Sequence, residues 1–167
     1  HELTHSFPTR RSSDLNRPAD DSNGIEGGLI DKNDDGTANT NTFFGTNWRS
    51  GDVEPYTHYL EVDLGSVKSI KELLFNYTTR ASYPNQRPNG IKVLASNDKK
   101  NYKEVFSVTD GLPTGGTEKW ELEEPLNFVG RYIRFAVSTE VGYFNMADFN
   151  LSIAETYTLN EFYTTSD

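Results

Sequence analysis

The chain has 167 residues, 34% of them hydrophobic and 13% aromatic, with a formal net charge of −9 and no cysteine. That length holds one domain with a real core plus tails, and the wealth of Tyr and Phe suits an all-β domain of short strands. The acidity argues against nucleic acid and anionic lipid surfaces, which favour Lys and Arg clusters. The missing cysteines exclude a disulfide framework and a thiolate metal site, and no apolar run approaches the length of a membrane span.

Taken from the N-terminus, the first fifteen residues, HELTHSFPTRRSSDL, are irregular, with no strand alternation. His5 to Leu15 read like the in-frame translation of a sequencing-library adapter, so residues 1–15 are set aside from fold reasoning. His58 is then the only histidine, and any leader or native first strand would have lain upstream. If a first strand was replaced, the sheet is expected to have an unpaired edge. After a polar, turn-rich stretch and a loop ending in aromatics, the segment Thr57 to Val67, "THYLEVDLGSV", alternates strictly and stops at Gly65. Leu60, Val62 and Leu64 take one face and Tyr59, Glu61 and Asp63 the other, which is expected to meet solvent.

Strands are predicted at Tyr59–Leu64, Ser69–Thr78, Ile91–Ser96, Glu104–Val108, Glu118–Leu122, Tyr132–Ser138 and Ala147–Ile153, separated by turn signals such as "RPNG", "SNDKKN", "TDGLPTGG" and "FVGR". They follow one another too closely for βαβ crossovers. The expected fold is therefore all-β, an antiparallel β-sandwich or jelly roll. Leu73, Phe75, Tyr77, Ile133, Phe135, Val137, Phe149, Leu151 and Ile153 should line its core. The domain is placed at 16–155, and 156–167 read as a linker or the start of a following module.

Two loop features carry chemistry. In Asp31-Lys-Asn33-Asp34-Asp35-Gly36, side-chain oxygens alternate before a glycine, as calcium loops begin, because calcium takes six to eight hard oxygen ligands. The twelfth position is Thr42, not a carboxylate, and no helix flanks the loop, so it is no EF-hand. A solvated Asp-Gly turn without metal is the alternative. The second feature is a set of aromatic and planar hydrogen-bonding side chains, the types that stack on sugars and read their hydroxyls. Phe44, Trp48 and Arg49 stand in one loop, Arg80, Tyr83, Asn85 and Arg87 in a second, and Tyr143, Phe144 and Asn145 in a third. Each also has a structural reading: Trp48 as a core plug, Arg80 as a brace on Asp52 or Glu54, Phe144 and Met146 as buried packing. One histidine, no cysteine and no G-x-S-x-G elbow leave little for catalysis, so no enzyme activity is expected.

The motifs "HYLEVDLG" (58–65), "FNYTTR" (75–80), "RPNGIKVLASND" (87–98), "RYIRFAV" (131–137) and "YFNMADFNL" (143–151) fall in an order that resembles the discoidin-like, or coagulation factor five/eight type C, domain. The likeness is greatest to bacterial versions akin to family 32 carbohydrate-binding modules. It runs from about Leu29 to Ile153. The resemblance implies an eight-stranded, galactose-binding-like jelly roll with a ligand site on loops at one end. It implies a structural calcium ion held by Asp31, Asn33 or Asp35, Thr42 and Asp148, where Asp148 replaces the usual, longer Glu. It also implies that Arg80, ending a Y-x-x-R strand, meets sugar hydroxyls with Asn85 or Asn89, while Tyr143 or Phe144 stacks. Trp48 and Arg87 complete the expected ligand face. Partners would be glycans of the galactose or N-acetylhexosamine type, and linked domains of a larger secreted or surface protein such as a glycoside hydrolase, outside the cytoplasm. The alternative is a protein-interaction or structural domain without sugar binding. Phospholipid binding ranks below it because of the acidity.

Overall fold

The computed structural model describes residues 2–4, 44–45 and 53–155. In chain order the strands are β1 (Glu2–Thr4), β2 (Phe44–Gly45), β3 (Tyr56–Thr78), β4 (Gly90–Ser96), β5 (Lys103–Val108), β6 (Lys119–Glu121), β7 (Leu126–Thr139), β8 (Asn145–Met146) and β9 (Asp148–Glu155). Seven form one antiparallel sheet ordered β1-β9-β3-β7-β4-β5, with β6 also on β3, and β2 pairs with β8. The expected all-β sandwich is what the chain builds.

Two strands are longer than the alternation indicates, and they make the sandwich. β3 is one strand of 23 residues, not two joined by a turn at Gly65. Gly65 sits at φ 87°, a conformation that suits a residue without Cβ, and its N–H donates to Asp63 Oδ1 at 2.8 Å. The register against β7 jumps there, from Asp63 opposite Tyr132 to Lys68 opposite Gly130. The glycine thus marks a bulge that bends a continuous strand. β7 likewise starts at Leu126 and runs through "FVGR", expected to be a turn. A Cβ at Gly130 would stand 3.2 Å from Ala95 Cβ, so this glycine serves close strand packing.

The sheet curls at these bends, and its two halves face each other across one core. All nine residues expected there are buried. Phe75 and Phe149, from the half carrying the end of β3, meet Phe135 of the other half with ring centroids 5.3 and 5.0 Å apart, edge to face. Burial also lifts the Tyr77 hydroxyl well above its ordinary pKa. At the sheet edge expected to be open, the backbone of Glu2–Thr4 pairs antiparallel with Ser152–Ala154. That edge is covered, by a segment just ahead of the adapter-like residues.

The outer face of β3 is not the solvated face its acids suggest. Glu61 is 2% exposed, opposite Arg134 of β7. Its carboxylate accepts from Arg134 Nε at 3.0 Å and Nη2 at 2.9 Å, from Lys99 Nζ at 3.2 Å, and from the Tyr102 hydroxyl. The Arg134 guanidinium lies 4.1 Å from the Tyr102 ring centroid and 5.0 Å from that of Tyr59. Burial, then the bond to Glu61, push the Tyr102 phenol far above its usual pKa. Beside it, Asp63 forms a two-bond fork with Arg131 at 2.9 and 3.2 Å. A buried carboxylate is tolerable only when paired and hydrogen-bonded, and here cross-strand neighbours supply both.

Candidate ligand site at the loop end

The loop joining β3 to β4, residues 79–89, is fastened at both ends. Its start is tied to the β5–β6 loop. Thr79 N–H donates to Glu118 O at 2.8 Å, and Thr79 Oγ1 accepts the Glu118 N–H at 3.0 Å. Its end is tied to β7, where Asn89 N–H donates to Ser138 O at 2.9 Å and Ser138 Oγ donates to Asn89 Oδ1 at 2.8 Å. Between these ties, Pro84–Gln86 make one 3-10 turn. Tyr83 before it adopts the left-handed region (φ 57°, ψ 66°), which is unfavourable for a large side chain and doubly so ahead of proline. Strain of this kind costs on the order of 1–3 kcal/mol and persists only where the surroundings over-determine it.

The two loop arginines part company. Arg87 is buried, and its guanidinium donates to Arg80 O at 3.1 and 2.8 Å, to Ala81 O at 3.1 Å and to Gly116 O at 2.8 Å. It cross-links the loop from inside, and it also lines the cleft between this loop and the β5–β6 loop. Arg80 is half-buried, with its guanidinium carbon 5.3 Å from the centroid of the Tyr83 ring. Tyr83 itself is 55% exposed. Asn85 is exposed beside it, on the rim of a cleft of about 370 Å³ shared with Asn89, Thr109, Thr114 and Glu140.

The third loop contributes less surface than expected. Tyr143 is half-buried, but Phe144 is only 5% exposed and packs 5.4 Å from the His58 ring. Its expected stacking face is thus turned inward. Asn145 is fully buried and donates through Nδ2 to Gln86 Oε1, linking this loop to the 3-10 turn. His58, which the sequence left without a place, lies under this loop with Nε2 3.2 Å from Thr139 Oγ1. The Thr139 hydroxyl in turn donates to Val141 O, so His58 is tied into the base of this loop. Tyr83 is the residue whose standing sequence reasoning underrated. The signal was its position between the "YTTR" strand end and a proline turn, where a ring cannot reach the core.

Of the expected calcium ligands, Asp31, Asn33, Asp35 and Thr42 lie outside the described residues, as does Trp48. Asp148 is 4% exposed at the head of β9, opposite Thr78. Among the described residues no three acidic or histidine side chains gather as a metal site. Its carboxylate oxygens are of the hard type calcium takes, so by donor chemistry Asp148 fits that role.

The sequence profile of the F5/8 type C domain matches residues 10–149. No curated protein matches the chain. Several solved structures share its fold. One is CpGH89CBM32-5 from Clostridium perfringens, in complex with GalNAc-β-1,3-galactose, at 18% identity and TM-score 0.54, covering 86% of this chain and 99% of that one. Another is the family 32 carbohydrate-binding module of C. perfringens NanJ, in complex with galactose, at 18% identity and TM-score 0.53, covering 90% and 99%. A third is a fucose-binding module from Streptococcus pneumoniae, at 15% identity and TM-score 0.55, covering 90% and 94%. At such identities the likeness is one of fold. The profile match spans most of the chain, and the chain belongs to the F5/8 type C domain family.

Proposed function

We propose that this domain is a non-catalytic carbohydrate-binding module that takes glycans at the loop end of the sandwich. The observation that carries the reading is the Arg80–Tyr83 pair: an exposed ring in a strained conformation with a guanidinium against it. A pyranose stacks its C–H face on Tyr83 or Tyr143, and Arg80 and Asn85 supply planar donors and acceptors to its hydroxyls. Arg87 and Asn145 hold the loop behind them, so little ordering is required on binding. The structural neighbours named above bind galactose, a GalNAc-galactose disaccharide and fucose, which supports galactose or N-acetylhexosamine termini as the ligand class.

The site is shallow, so affinity should be weak. Its use would be tethering: a linked catalytic domain, outside the cytoplasm, is held at high effective concentration on its substrate. A structural calcium ion would bind Asp148 together with Asp31, Asn33 or Asp35 and Thr42, fastening the early loop to the head of β9.

Titration of the full chain, in calcium buffer, with galactose- and N-acetylhexosamine-terminated glycans tests the reading. Binding at roughly millimolar to micromolar Kd is expected, lost in Arg80→Ala with the fold intact. Silence across the panel from folded protein would favour the protein-interaction reading instead. Chelation should lower the melting temperature, and Asp31→Ala should remove that sensitivity. An unchanged melt in chelator would sink the calcium assignment.

A further inference from the structure

A second concave surface lies on the flank of the sandwich. Among the described residues β5 pairs only with β4 and β6 only with β3, so these strands bound the curled sheet on one side. Between them and the strap leading into β7 is a crevice of about 520 Å³. That volume is in the range of small-molecule sites. Its floor is half-buried and apolar, with Phe106, Trp120 and Leu126. Its rim carries Asp110, Glu123 and Glu124, all exposed, and among the described residues no Lys or Arg lines it. A fourth rim carboxylate, Glu121, is already paired with Lys119 at 2.8 Å. The other three have no ion pair among the described residues.

We infer that this crevice binds a hexosamine carrying a free amine. An aromatic floor suits the C–H face of a pyranose, and a rim of carboxylates suits an ammonium group fixed on the same ring. N-acetylation removes that charge, so the crevice would separate amine from acetamide sugars. The occupant is compact and rigid, not an extended peptide. A rigid ring loses less freedom on binding than a Lys or Arg side chain. The site shares neither Arg80 nor Tyr83 with the loop-end site, and it stands whether or not that site binds sugar.

The test is backbone-amide NMR on the full chain with three probes: a glucosamine disaccharide, its di-N-acetylated form, and trilysine. The amine sugar should shift amides at 106–111 and 120–126. The acetylated form should leave them still, and trilysine should move them far less. Glu123→Gln with Glu124→Gln, both exposed and safe for folding, should weaken the amine sugar roughly tenfold, as the loss of charged hydrogen bonds does. Arg80→Ala should change nothing there. Equal shifts from the acetylated sugar, full binding by the double variant, or trilysine matching the amine sugar would each overturn the inference.

Discussion

The outer face around Glu61 and the loop end around Tyr83 hold similar side chains, yet they have opposite characters. On the sheet face, Glu61 meets three donors and Arg134 lies against two rings, so charge and aromatic surface are used up within the fold. At the loop end, Arg87 and Asn145 are consumed in holding the loop, while Tyr83 and Asn85 remain outward. Availability to a ligand follows from what neighbouring strands and loops leave unmet. Residue type alone does not decide it.

The largest effect that would separate the two regions is on stability. Glu61→Ala should destabilise the domain by about 3 kcal/mol, because it strands Arg134 among the strands without a counter-charge. Lys99, half exposed, adds little. Urea unfolding measures this, and glycan affinity should be unaffected. A loss under ~1 kcal/mol would mean the face is solvated after all. Next comes Arg87→Ala, expected to cost about 2 kcal/mol through lost charged hydrogen bonds and to blur binding indirectly. Arg87→Lys should rescue little, since an ammonium cannot span three carbonyls with a planar fork. A variant that keeps full stability while losing ligand would return Arg87 to the binding face.

Tyr83→Gly sharpens the contrast from the other side. It should relieve left-handed strain and leave stability equal or up to about 1 kcal/mol higher, while weakening glycan binding. The smallest effect concerns Asp98, whose carboxylate is held far below its usual pKa, first by the backbone N–H groups of Asn101 and Lys100. Its lowered folded-state pKa contributes stability above the unfolded value of 3.8, and that contribution fades as pH falls through the folded pKa. The melting-temperature gap between wild type and Asp98→Ala should therefore narrow from about pH 5 to about pH 2.

Much of the fold could be read in the chain because alternation is local. Phe75 and Tyr77, Ile133 and Phe135, Leu151 and Ile153 mark buried faces by their spacing alone, and all are buried. The burial of Glu61 was not readable. Its partners Arg134 and Tyr102 stand 73 and 41 positions away, and only strand register brings them together. The same holds for Arg80 and Arg87, seven positions apart in one loop and alike as sequence. Carbonyls gathered from Arg80, Ala81 and Gly116 decide that Arg87 turns inward. The continuity of β3 through Gly65 is not readable from the chain, because a glycine after alternation signals a turn or a bulge equally well.

The most direct test of the loop-end account is to map where a galactose-terminated disaccharide perturbs backbone amides of the full chain in calcium buffer. The account predicts shifts centred on residues 80–86 and 143–145, absent in Arg80→Ala and unchanged in Glu61→Ala. Shifts confined to the flank or the outer sheet face, or none from folded protein, would contradict it.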